Sequence, residues 1–183
     1  MASHDRLEML ESFGRGPALL SGTLRQLPRR MWLFKPSPDR WSVHEIILHL
    51  ADCEASSYVC CRYLIAEPGQ HLGTFDAARW ARALGYFHQS TREALEVTRR
   101  LRKMTHSLLT TIPASVWLNT MEHPRGGEVS LEQWIRRQEA HIPKHTADML
   151  QNYEVWLRSN PPRKSVLRDT AAAEPLSVSM GTC

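Results

Sequence analysis

The chain has 183 residues, 42% of them hydrophobic and 23% charged, which is enough for one globular domain with a substantial apolar core. Its net charge of +4 comes from basic pairs scattered among acids, and this distribution argues against the basic stripe of a nucleic-acid-binding protein. No apolar run approaches the roughly 20 residues that span a bilayer, and the first ten residues lack the apolar segment of a signal peptide. We therefore expect a cytoplasmic protein that binds neither membranes nor nucleic acid.

The N-terminal part of the chain predicts two consecutive helical segments. Residues 1–16 predict a short helical lead-in that ends in a glycine-containing turn. Pro17 then suits the first position of a helix, because an N–H at that position has no partner within the helix in any case. This helix is expected to end near Leu27, and residues 29–40, which contain two further prolines, predict a loop.

The middle of the chain predicts two long helices. Ser42 and Glu45 form a capping box, in which the serine caps the helix and the glutamate binds back to the serine backbone. The helix that begins there is expected to end near Ala66, before a Glu-Pro-Gly sequence. A third helix is predicted over about residues 77–111, and its early part could be broken near Gly85.

The C-terminal part of the chain predicts one more helix and a tail. Residues 119–129 contain proline and two glycines and show no convincing strand pattern, so they predict an irregular connection. Ser130 and Gln133 form a second capping box, and the helix that begins there is expected to end near residue 158. Residues 160–183 are rich in proline, serine and alanine and predict a disordered tail.

These elements predict an all-α fold. Four core helices with capped starts and polar connections are typical of a four-helix bundle, here a single domain over residues 1–159. Two of the four cysteines are adjacent, one is the last residue, and their spacing resembles neither a disulfide framework nor a CxxC metal site.

Three histidines are the strongest candidates for a functional site. His141 and His145 lie four residues apart, about 40° from each other around a helix, and both face the predicted bundle interior. His49 lies near the middle of its own helix, at the edge of the apolar face. Three neutral imidazoles with an open fourth position are the arrangement of a catalytic zinc-type ion. The alternative is that they are core histidines with hydrogen-bond partners.

Three neighbouring residues bear on this hypothesis. Cys53, four residues after His49, could approach a metal, although the residue is more typical of a small buried hydrophobe. Glu45 could orient His49, although its role in the capping box is the preferred interpretation. Pro143 lies between the two C-terminal histidines, removes one backbone hydrogen bond and should kink the helix.

Three sequence motifs, in this order and spacing, resemble those of the DinB-like superfamily of metal-binding four-helix bundles. The first is the run WSVHEIILHLADCE at residues 41–54, and the second is FDAARWA at residues 75–81. The third lies in residues 123–145 and comprises His123-Pro124, Gly127, Ser130-Leu131 and the pair His141 and His145. The resemblance covers about residues 17–158.

The resemblance implies an up-down-down-up bundle that holds a divalent ion, usually zinc or nickel. It assigns the metal ligands to His49, His141 and His145. It also implies a homodimer that acts on a small molecule, whereas the name of the family refers to induction by DNA damage and implies no DNA binding.

The resemblance further implies a metal-dependent enzyme that transfers a low-molecular-weight thiol, as a metal-bound thiolate, to an electrophilic substrate. Arg62 and Arg79 are candidates for binding the carboxylates of such a thiol. A first alternative is a hydrolase that attacks with metal-activated water, for which Asp52 is a weak candidate as general base. A second alternative is a bundle that binds a metal or a small ligand without catalysis.

Overall fold

The computed structural model describes residues 3–71, 73, 75–124 and 127–161. Residues 162–183, nearly all of the predicted tail, lie outside the described residues. The elements, in chain order, are helices α1 (Ser3–Gln26), α2 (Val43–Ala66), α3 (Ala77–Ala83) and α4 (Thr91–Leu109), strands β1 (Thr120–His123) and β2 (Gly127–Ser130), and helix α5 (Leu131–Ser159).

The four long helices form the predicted four-helix bundle. Helices α1 and α2 each pack mainly against α4 and α5, so helices that follow one another in sequence are not the main packing partners. This arrangement packs α2 against α5, the two helices that carry the candidate histidines. Within the described residues, no helix is long and apolar enough to cross a membrane.

Both predicted capping boxes are present. The Ser42 hydroxyl accepts a hydrogen bond from the Glu45 backbone N–H at 3.2 Å, and the Ser42 N–H donates to the Glu45 carboxylate at 2.8 Å. Ser130 and Gln133 form the same pair of bonds at the start of α5. Glu45 also binds the Lys35 ammonium at 2.9 Å, so its carboxylate serves the helix start and not His49.

The predicted break between a lead-in and the first core helix is wrong, because α1 runs without interruption through Pro17. A proline inside a helix leaves the carbonyl four residues earlier without its helical N–H. That carbonyl belongs to Phe13, and it accepts a long hydrogen bond of 3.5 Å from the guanidinium of Arg102 on α4. A side chain from another helix therefore compensates for the proline.

The glycines that predicted a turn in this region instead permit close helix packing. A Cβ atom at Gly14 would lie 2.9 Å from the ring of His106 on α4. A Cβ atom at Gly16 would lie 3.0 Å from the side chain of Ile142 on α5. The two glycines thus bring α1 close to both of its neighbours in the bundle.

The long helix predicted over residues 77–111 is divided. Helix α3 ends before Gly85, whose φ of 58° places it in the left-handed region that glycine adopts without strain. A short 3₁₀ turn over Tyr86–His88 follows, and Ser90 then caps α4. The break lies where the glycine suggested it.

The connection that was predicted to be irregular contains a β-hairpin. Strands β1 and β2 pair antiparallel, with Met121 opposite Val129, and both of these side chains are buried. Each strand has four residues, too short a stretch for an alternating pattern to stand out in the sequence.

The bundle core has two apolar clusters with a polar layer between them. One cluster includes Ile47 of α2 and Met149 of α5, and the other includes Leu64 of α2 and Ile135 of α5. Buried polar side chains occupy the intervening turns of the helices. Those on α2, α4 and α5 include His49, Glu54, Ser57, Thr98, Arg102, Thr105, His145 and Thr146.

A buried ion pair in this layer links all four long helices. Arg102 on α4 is 1% exposed, and its Nε donates to a carboxylate oxygen of Glu54 on α2 at 2.9 Å, while its Nη2 donates to the other oxygen. Its Nη1 donates to the backbone carbonyl of Gln138 on α5 at 3.1 Å, and the guanidinium lies 4.0 Å from the ring centroid of Phe13 on α1. Burial raises the pKa of Glu54, and the Arg102 charge opposes that rise.

We expect Arg102→Met to lower the free energy of unfolding by about 3–5 kcal/mol, because it leaves the Glu54 carboxylate buried without its partner. The matched change Arg99→Met, in an exposed ion pair on the same helix, is expected to have little effect. Urea denaturation measures both. The double variant Arg102→Met/Glu54→Leu should recover much of the lost stability. Equal stability of Arg102→Met and Arg99→Met would contradict the stabilising role of the buried ion pair.

Candidate metal centre

The structure brings together the three predicted histidines. The ring centroids lie 5.2 Å apart for His49 and His141, 5.0 Å for His49 and His145, and 4.7 Å for His141 and His145. One helical turn separates the two residues on α5, and the second turn of α2 places the His49 ring next to them. The three imidazole rings therefore pack against one another.

Pro143 does not separate the pair on α5. The helix runs continuously from Leu131 to Ser159, and the Nε2 atoms of His141 and His145 lie 3.2 Å apart. Two nitrogen ligands at zinc bond lengths of 2.0–2.1 Å in a tetrahedral site would lie about 3.3–3.4 Å apart. The spacing fits a shared ion, and it also fits a hydrogen bond between two neutral rings.

The protonation of the three rings suits metal binding. Burial lowers the pKa of His49 and of His141 to about 3. Burial also lowers the pKa of His145, with the Asp148 carboxylate opposing that effect. All three rings are therefore neutral at pH 7, and each keeps a nitrogen lone pair for a ligand bond.

The second nitrogens of the α5 pair differ in their surroundings. Nδ1 of His141 is buried, and it has no hydrogen-bond partner among the described residues. Nδ1 of His145 lies 3.2 Å from a carboxylate oxygen of Asp148, a close contact that lacks hydrogen-bond alignment. Buried ring nitrogens without partners are uncommon, and a donor set of three neutral imidazoles fits a divalent ion such as zinc or nickel.

A fourth possible ligand, Cys53, lies next to His49 and His141. The Cys53 sulfur is 3.5 Å from Nε2 of His49, and ligand atoms of His49, Cys53 and His141 lie within 4.8 Å of one another. Burial, followed by the charges of Glu54 and Asp52, raises the pKa of Cys53 to about 12, which keeps the thiol protonated in the absence of an ion. The sequence favoured a small buried hydrophobe here, whereas the structure places the sulfur among the possible ligands.

A cavity of about 230 Å³ opens beside His141. Its described lining includes Cys53, Phe75, His123, Trp134, Gln138 and His141. Among the described residues that line it, none is a carboxylate, a lysine or an arginine. The described walls of this cavity therefore consist of aromatic, thiol and uncharged polar groups, whereas the Asp148 carboxylate lies on the other side of the site, next to His145.

Aromatic side chains cover the histidines. The Trp41 ring meets His49 edge to face at 4.6 Å, and the Phe75 ring lies 6.4 Å from His49 and stacks on Trp80 at 4.2 Å. The sequence analysis did not identify the contact of Trp41 with His49. The sequence feature that could have indicated this contact is the position of Trp41 at the start of the first DinB-like motif.

The other predicted residues do not line the cavity within the described part of the chain. The Asp52 carboxylate accepts a hydrogen bond from the Tyr86 hydroxyl. Burial, followed by this hydrogen bond, raises the pKa of that tyrosine. The Arg62 guanidinium stacks on Tyr58, and the backbone N–H of Arg79 caps α3 by donating to Asp76. The structure thus gives Asp52 a structural hydrogen bond and neither arginine a place at the site.

Comparisons with known proteins agree with the four-helix-bundle fold. A protein of Oceanobacillus iheyensis is 26% identical to this chain over 131 residues, which are 72% of this chain and 76% of that protein. Its name describes it provisionally as a metal-dependent hydrolase. The structure of YfiT from Bacillus subtilis superposes on this chain with a TM-score of 0.78 and 17% sequence identity, over 84% of this chain and 89% of YfiT. YfiT is described as a probable metal-dependent hydrolase with an unusual four-helix bundle topology. The sequence model of the DinB superfamily matches residues 12–149, three quarters of the chain. The chain belongs to the DinB superfamily.

Proposed function

We propose that this chain is a metal-dependent enzyme in which His49, His141 and His145 hold a divalent ion, zinc or nickel. The reaction we propose is transfer of a low-molecular-weight thiol to a small electrophilic molecule. The observation that carries the proposal is that three neutral imidazoles, two of them buried and that of His141 partly buried, pack together beside a cavity whose described lining has no carboxylate, lysine or arginine. When bound, such an ion lowers the pKa of a coordinated thiol or water and supplies a nucleophile near neutral pH.

The described lining of the cavity favours a thiol as the nucleophile. Attack by water usually requires a general base within hydrogen-bond reach. Asp52, the residue that the sequence offered for this role, is bound to Tyr86, and the described lining of the cavity holds no carboxylate, so His123 is the remaining basic side chain there. A thiol, with an ordinary pKa of about 8.5, loses its proton far more easily than water and needs no such base.

The protein residues create the conditions for this chemistry. Burial keeps the imidazoles of His49 and His141 neutral, so their lone pairs remain available and add no charge to the site. Trp41 and Phe75 limit access of water to the rings. The cavity next to His141 holds the electrophile within reach of the nucleophile.

Hydrolysis is the second candidate function. It is favoured by the descriptions of the Oceanobacillus protein and of YfiT as metal-dependent hydrolases. In this case water replaces the thiol as the nucleophile, and the cavity holds an ester or an amide. The two candidates share the metal ligands and differ in the cosubstrate, so one set of assays separates them.

We expect zinc- or nickel-loaded protein to accelerate the reaction of L-cysteine with 1-chloro-2,4-dinitrobenzene, and His141→Ala to return the rate to the uncatalysed value. The product is followed by absorbance, and His88→Ala, at an exposed histidine, serves as the matched control. Cleavage of 4-nitrophenyl acetate without a thiol, lost in His141→Ala, would replace thiol transfer by hydrolysis. Metal-loaded protein without either activity would contradict an enzymatic role.

A second test identifies the third ligand. In cobalt(II)-substituted protein, three histidine ligands without a thiolate should give no sulfur-to-cobalt charge-transfer band in the near ultraviolet, and Cys53→Ser should leave the visible spectrum unchanged. Cys60→Ser is the control at a buried cysteine that also lines the cavity. A charge-transfer band that disappears only in Cys53→Ser would show that Cys53 is a ligand and would contradict a set of three histidines alone.

A further inference from the structure

We propose that the carboxylate of Asp148 positions His145 for metal binding. It keeps the proton of the neutral imidazole on Nδ1, so that Nε2 retains its lone pair for the ion. The inference deepens the proposed function, on which it rests for the presence of an ion. Asp148 acts through His145 and is a positioning residue, neither a metal ligand nor a group that touches the substrate.

The first observation is the contact between Asp148 and the ring of His145. The two residues lie one helical turn apart on α5, and a carboxylate oxygen of Asp148 lies 3.2 Å from Nδ1 of His145. The contact is not aligned as a hydrogen bond, so it acts through charge. At this distance a negative oxygen repels a ring lone pair and attracts an N–H. It therefore favours the tautomer with the proton on Nδ1.

The second observation is the contact between the two Nε2 atoms on α5. Nε2 of His145 lies 3.2 Å from Nε2 of His141. A hydrogen bond between two neutral imidazoles needs one N–H and one lone pair. With the proton of His145 on Nδ1, its Nε2 is the acceptor, and Nε2 of His141 is the donor in the absence of an ion. Both contacts of His145 thus agree with the tautomer that leaves Nε2 open to a metal.

The third observation is that the ring of His145 is held in its orientation. The Trp41 ring lies nearly parallel to it, with an angle of 18° between the planes and 6.5 Å between the centroids. The Trp41 carbonyl accepts a 2.8 Å hydrogen bond from the Asn152 amide, two turns after His145 on α5. A His145 ring turned over by 180° would place C–H groups against both Asp148 and His141. The observed orientation is therefore the one that both neighbours favour.

A second carboxylate on this side of the site allows position to be separated from charge. Asp39 and Asp148 both line a cavity of about 330 Å³ that also reaches His145. General attraction of a cation would work from either residue, whereas selection of the tautomer requires contact with Nδ1. A carboxylate in such contact makes the ligand nitrogen more basic, and its loss weakens metal binding by about 10- to 100-fold.

We expect Asp148→Ala to weaken zinc binding by about tenfold or more. The matched control Asp39→Ala removes an exposed carboxylate from the same cavity and should change the affinity by less than about twofold, because solvent and salt screen its charge. Zinc affinity is measured by competition with a chromophoric chelator, and circular dichroism verifies that both variants are folded. Equal zinc affinity of Asp148→Ala and the wild type would overturn the proposal.

The tautomer is measured separately, in metal-free protein, by long-range ¹H–¹⁵N NMR correlations of the histidine rings. We expect His145 to carry its proton on Nδ1 in the wild type and in Asp39→Ala, and this tautomer to lose its predominance in Asp148→Ala. A wild-type ring protonated on Nε2 would overturn the proposal. Because no zinc is present, a protein that binds no zinc refutes the proposed metal centre, while the tautomer still decides the effect of Asp148 on His145.

Discussion

The fold depends most on the buried guanidinium of Arg102. It binds the carboxylate of Glu54 on α2, a carbonyl of α1 and the carbonyl of Gln138 on α5, and so joins the four long helices at one level of the bundle. A buried charge is tolerated only when its hydrogen-bonding groups are satisfied, so this one contact restricts how the helices can slide or rotate relative to one another. Because this contact fixes α2 relative to α5, it also fixes the relative positions of the histidines that the two helices carry.

The candidate metal centre follows from that polar layer. Helix α2 carries His49 about one turn before Glu54, and α5 carries His141 about one turn after Gln138, so the histidines lie beside the ion pair. Burial removes their charge, and the Arg102 charge further lowers the pKa of His141. The site therefore combines neutral nitrogen donors with an adjoining cavity, which is the combination that an open metal site requires.

Features encoded by a few neighbouring residues could be predicted from the sequence, and features that depend on contacts between distant residues could not. The capping box at Ser42 and the four-residue spacing of the α5 histidines are local, and they located the helix starts and the convergence of the rings. The continuity of α1 through Pro17 depends on Arg102, 85 positions later, which no local pattern reveals. The cavity likewise exists only after the helices pack. A homodimer and a cytoplasmic location stay predictions.

The central claim is that the three histidines form a metal site. Elemental analysis of purified wild-type protein, after exposure to zinc or nickel and removal of free ions, tests it most directly beside His145→Ala and the exposed control His88→Ala. We predict about one ion per chain in the wild type and the control, and a large loss in His145→Ala. Wild-type protein that retains no metal, or a His145→Ala variant that retains all of it, would contradict the three-histidine site.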